Sequence, residues 1–186
     1  FRASEERPFV ACENGLVDLT EFTDATNPDP EPAFRDFTPD VVLTRKIPVA
    51  YDPNAECPAF EAFLDDVLDD DDAKASVFEM FGYCLWPGYP FEATMFCYGD
   101  GANGKSVMLK VLAEWLGQEN VSSRTLQALE EDAFAMANLH DKFANIAADL
   151  PDTKLDSAGA IKTLTGGDMA TANPKYKEPF AFENHA

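Results

Sequence analysis

Apolar positions recur at helical spacing in three stretches. Phe60, Phe63, Leu64, Val67 and Leu68 follow Pro58, a residue suited to a first helical turn. Val77, Phe78, Phe81 and Leu85 mark a second helix that closes before Pro87-Gly88. Val107, Leu109, Val111, Leu112, Trp115 and Leu116 mark a third, stopping near Gly117. Shorter runs read as strands. Phe9-Val10-Ala11 and Leu16-Val17-Asp18-Leu19 flank Asn14-Gly15, a tight hairpin turn. Val41 to Thr44 is a further strand candidate, and Thr94-Met95-Phe96-Cys97-Tyr98 has the continuous apolar character of a buried parallel strand. Val121-Ser122-Ser123 is a weaker one, and Phe143 to Asp149 is an apolar strand ending in a carboxylate. Ala158, Ile161 and Leu164 predict a short helix that ends at Gly166-Gly167. Residues 168–182 then predict a β-hairpin with Asn173-Pro174-Lys175 at its tip.

Polar stretches separate these elements. Residues 24–40, rich in Pro, Asp and Thr, read as a loop, 87–93 as a linker, and 125–140 mix helical and loop signals. Asp69 to Asp72 ends the first helix, because adjacent carboxylates are unfavourable at a helix C-terminus. The run lacks the alternation and the glycine of a calcium loop, so it reads as a solvated turn. The pattern divides the chain into a lead-in of residues 1–90, β-containing and then helical, and a core over 91–186.

Chemistry concentrates in the core. Gly99-Asp100-Gly101-Ala102-Asn103-Gly104-Lys105-Ser106 fits the phosphate-binding loop, a Gly, four residues, then Gly-Lys-Ser. Four intervening residues let the backbone turn its N–H groups around a polyphosphate, and glycines adopt angles that a Cβ forbids. Lys105 would reach the β- and γ-phosphates of ATP, and the Ser106 hydroxyl would hold Mg²⁺. The loop lies between a predicted strand and a predicted helix, which places phosphate at the positive helix end. Asp149, at the end of its own strand, is the candidate second holder of the Mg²⁺ shell. Leu150 follows it, so no second acid stands in the next position to polarise a water.

Charge narrows the partners. The chain has 34 acidic and 14 basic residues, net −20, with −15 in residues 1–93 and −5 in residues 94–186. Such a surface repels nucleic acid overall. Residues 154–177 are the exception, with Lys154, Lys162, Lys175 and Lys177 against Asp156 and Asp168. An Asp excess of this size around a real core suggests a salt-saturated cell interior, where screening over about 3 Å at 1 M tolerates it. A melting temperature that falls with added salt would contradict that reading. Cys12, Cys57, Cys84 and Cys97 are widely spaced, with no metal-ligand pattern, and read as reduced, mostly buried thiols of a cytoplasm-like compartment. No run approaches the ~20 apolar residues of a bilayer span. The start on Phe1 rather than Met suggests a chain cut from something longer.

GDGANGKS, FANIAADLP and IKTLTGGDMATANPKYKEPFAF together resemble the phage and plasmid primase/helicase group of superfamily III helicases. In the lead-in, ENGLVDL, IPVAYDPNAECPAFEAFLDDVL and FEMFGYCLWP resemble the domain that precedes the motor in that group. The resemblance implies an α/β, AAA+-like P-loop NTPase with a three-layer parallel sheet, truncated at its C-terminus, behind a smaller α+β domain. It implies a homo-hexameric ring in the cytoplasm of a prokaryotic host, a haloarchaeon or its virus on the charge argument. That ring would hydrolyse ATP and draw single-stranded or forked DNA 3′ to 5′, with a primase fused or associated. By position, Gly99 through Ser106 would bind phosphate, with Lys105 and Asp149 catalytic. Lys175 and Lys177 would contact DNA, although local sequence alone reads that tip rather as a solvated turn. The sensor strand is expected beyond Ala186, so this piece should bind nucleotide more readily than hydrolyse it. Two other readings stay open. One is a non-catalytic nucleotide-binding assembly module, favoured by the single acid at Asp149. The other is a different P-loop enzyme such as a small-molecule kinase, for which residues 107–186 offer only Arg124 toward an arginine-rich lid.

Overall fold

A computed structural model describes residues 8–132, 134–147 and 159–186. The chain divides into two compact units, Phe1–Glu79 and Met80–Ala186. In the first, strands β1 (Phe9–Ala11), β2 (Leu16–Asp18) and β3 (Ala33–Arg35) form an antiparallel sheet in the order β1-β2-β3. The expected hairpin is there, with Ala11 opposite Leu16 and the Cys12 amide donating to the Gly15 carbonyl at 2.8 Å. Gly15 is required by close approach, since a Cβ would lie 2.5 Å from the Arg35 carbonyl oxygen. Strand β3 corrects the loop reading of residues 24–40. Its three residues sit in a Pro-rich stretch without alternation, and β2 supplies the pairing, Leu16 to Arg35 and Asp18 to Ala33. Val41 to Thr44 is not a strand, and Val42 is exposed.

Asp18 is 5% exposed and carries the ion pair of this sheet, with its Oδ2 2.8 Å from Arg35 Nε. Burial pushes its carboxyl up, but the Thr20 hydroxyl and amide, with Arg35, outweigh that and bring it below the ordinary value. Helix α1 (Pro58–Val67) starts on the proline and buries Leu64. Helix α2 (Asp71–Leu85) takes Asp71 and Asp72 into its first turn. The four-acid run therefore opens the second helix as well as following the first, as carboxylates are favoured at a helix N-terminus.

In the second unit, helix α3 (Lys105–Leu116) stops at Gly117, as the periodicity predicts. Strand β4 (Val121–Ser122) pairs in parallel with β5 (Ala144–Asn145). Helix α4 (Leu126–Glu131) is capped by the Thr125 hydroxyl, which accepts from the Ala128 amide at 3.2 Å. Helix α5 (Gly159–Thr165) leads into the hairpin of β6 (Met169–Ala172) and β7 (Phe180–Glu183), paired Met169 to Glu183 through Ala172 to Phe180. The core joins Leu129, Ala135, Leu139, Leu164, Ala170, Ala172 and Phe182. The protein is thus mixed α/β with small sheets, and the described residues hold two parallel strands rather than a three-layer parallel sheet. Thr94 to Tyr98 corrects the strand reading. It makes no ladder, and Phe96 and Tyr98 are exposed, Tyr98 fully. A parallel strand depends on neighbours distant in sequence, so an apolar run alone does not form one. The cysteines also differ from expectation. Cys12 is buried, but Cys57 and Cys97 are exposed; all four are free thiols.

Candidate functional site

The phosphate loop is shaped by backbone that a Cβ resists. Gly104, at φ +83°, caps α3, and its carbonyl accepts from the Val107 and Met108 amides, both at 3.0 Å. Gly99 stands at φ +150°, and a Cβ there would fall 2.1 Å from Asn103 Nδ2. Ala102 holds a positive φ of 60° without being glycine. Buried Leu112 and Leu116 fix the helix behind the loop, and Trp115 stacks on Phe81 with ring centroids 5.6 Å apart.

Lys105 folds back over its own loop. Its ammonium donates to the Gly99 carbonyl at 2.7 Å, the Asp100 carbonyl at 3.0 Å and Asn103 Oδ1 at 2.7 Å. Three donors meet three neutral oxygens, so the charge is solvated by dipoles and not cancelled. Burial pushes the Cys97 thiol up, and the charge of Lys105 opposes that shift. The α3 N-terminus has no side-chain cap, and Ser106 is exposed on its first turn. Bent glycines, uncapped amides, an uncancelled ammonium and an open hydroxyl fit a polyphosphate, with Ser106 placed to share in holding its Mg²⁺. Asp149 lies outside the described residues. Among those described, no group of three His, Cys, Asp or Glu could hold a metal ion.

The second candidate region is the hairpin tip. The Lys177 amide donates to the Pro174 carbonyl at 3.3 Å, closing a four-residue turn. Lys175 and Lys177 share that turn in different surroundings. Both are exposed, but Lys175 Nζ sits 5.7 Å from the centroid of the Phe134 ring, a cation–π contact. Between them Tyr176 is fully exposed at φ +63°. The hairpin is tied at its base by Asn184, 2% exposed, whose Nδ2 donates to the Leu164 carbonyl at 3.2 Å and to Tyr89 Oη at 3.4 Å. The Tyr89 hydroxyl donates to the Ala186 carbonyl, and burial pushes its phenol up to about 12. Phe134 and Asn184 were invisible as site residues in the sequence, because no motif marks a side chain whose role is to hold another group; the loop motif marked Asn103, but not its bond to Lys105.

Comparison with known proteins gives two family matches. Residues 4–69 match the family described as "D5 N terminal like", and residues 97–186 match "Family of unknown function (DUF5906)". The chain is 26% identical over 189 residues to a protein of Acanthamoeba polyphaga mimivirus named "Putative helicase". That alignment covers 96% of this chain and 19% of the viral protein, so the chain spans about a fifth of its relative.

Proposed function

We propose that this chain is the nucleotide-binding part, with its preceding domain, of an ATP-driven DNA helicase related to the primase–helicases. The observation that carries the reading is Lys105, an ammonium held only by neutral oxygens at the mouth of a loop whose Gly99 and Gly104 hold positive φ. The amino-terminal match and the helicase-named viral protein support the same direction. On this reading the backbone of Gly99 to Gly104 wraps the polyphosphate of ATP. Lys105 exchanges its loop acceptors for β- and γ-phosphate oxygens, which are stronger partners because they are ionised. Ser106 and Asp149 hold Mg²⁺, which supplies positive charge against the phosphates. Lys105 and Asp149 are then the catalytic pair, and Lys175 and Lys177 form the DNA-contacting turn.

The finer assignments belong to the whole protein. They are a complete AAA+-like parallel sheet built on residues 91–186, a homo-hexameric ring, 3′ to 5′ movement on single-stranded or forked DNA, and a fused or associated primase. A prokaryotic cytoplasm of high salt is the proposed setting.

ATP turnover by the full-length protein, with and without single-stranded DNA, tests the reading. DNA should stimulate turnover, and Lys175→Ala with Lys177→Ala should remove the stimulation while leaving basal turnover. Nucleotide binding without turnover would instead identify an assembly module. Turnover that needs a small acceptor would identify a kinase.

A further inference from the structure

The turn at 174–177 contains a residue the backbone does not favour. Tyr176 is third in a turn closed by the Lys177 amide and the Pro174 carbonyl, at φ +63°. Turns that need a positive φ at this place take glycine or asparagine, because a bulky side chain is strained there. Burial does not offset the strain, since the ring is fully exposed. The folded chain thus gains nothing from tyrosine at 176 that glycine would not provide.

The flanking lysines are not equivalent. Lys175 is drawn back over Phe134, a contact that steadies the turn. Lys177, like Lys175, is exposed, so a fully exposed ring and its two flanking lysines share one turn. They do so in the part of the chain where basic residues outnumber acidic ones, within a molecule of net charge −20.

We infer that Tyr176 is a base-stacking residue for single-stranded nucleic acid, with Lys177 on the neighbouring phosphate and Lys175 a positioning residue that holds the turn against Phe134. The inference rests on the helicase reading and deepens it. A flat ring on a projecting tip reaches a base only where the strand is unpaired, and every base offers a face, so the contact is sequence-tolerant. Stacking does not depend on counterion release, so it persists in concentrated salt where phosphate contacts weaken.

The test uses the full-length protein and two oligonucleotides of equal length, one with normal bases and one abasic, in high salt. Tyr176→Ala should weaken binding of the normal strand about tenfold, Tyr176→Phe should leave it nearly unchanged, and neither should alter binding of the abasic strand. Tyr176→Gly should lose the same affinity while its unfolding midpoint stays level or rises, separating ligand binding from folding. Lys175→Ala should weaken binding less than Tyr176→Ala does. Equal losses on both strands, or unchanged affinity for the normal one, would overturn the stacking role. A change in oligomeric state without a change in DNA affinity would move Tyr176 to a protein interface and overturn it too. Wild-type protein that binds neither strand overturns the helicase reading itself.

Discussion

Two cations, one in each unit, show what a charge is committed to. Arg35 on β3 faces a buried carboxylate, Asp18, whose other contacts come from Thr20, so the pair is closed and its role is to hold the sheet. Lys105 has three short contacts, all to neutral oxygens of a solvent-facing loop. An anion arriving at Arg35 would have to displace a carboxylate. One arriving at Lys105 displaces only dipoles, so having more contacts does not mark the structural cation of the two. The charge of the partners does.

The sharpest way to break this comparison is to remove each cation's role in turn. Lys105→Ala should lower ATP turnover by 100-fold or more, about 3 kcal/mol of transition-state stabilisation, with an unchanged unfolding midpoint. Steady-state kinetics and a melt on the same sample check both halves. Asp18→Ala should do the reverse, costing about 1–2 kcal/mol of stability with nucleotide affinity intact; the estimate is low because Arg35 is exposed. The same pair predicts an acid response. The Asp18 carboxyl lies below its ordinary value, so its contribution is complete above the unfolded carboxylate range near pH 4 and is lost as pH falls through the folded value. Melting followed from pH 7 to pH 3 should be less steep at the acid end in Asp18→Asn. The smallest effect belongs to Asn103→Ala. It removes one of the three acceptors competing for Lys105, and nucleotide should bind a few-fold tighter, under about 1 kcal/mol. Weaker binding in calorimetry would mean that Asn103 shapes the loop for phosphate instead.

Legibility followed the range of the interactions. Helices α1, α2 and α3, the hairpin at Asn14-Gly15 and the β6–β7 hairpin were all readable, because periodicity, a proline start and glycine stops act over a few residues. Strand β3 was hidden, since Ala33-Phe34-Arg35 has no pattern of its own and is a strand only beside β2. Thr94 to Tyr98 failed in the opposite sense, having a strand's composition without a ladder. At the site, the motif marked Gly99 through Ser106 from spacing alone. The fold-back of Lys105 onto Asn103, and the contrast between Lys175 and Lys177, depend on geometry no spacing encodes.

The hydrogen bond from Asn184 to the Leu164 carbonyl has a mechanical consequence. It ties the residue just past β7 to the last turn of α5, while the short link through Gly166-Gly167 joins that helix to β6. Both feet of the hairpin therefore meet α5, and a pull on the tip has a route into that helix through either strand.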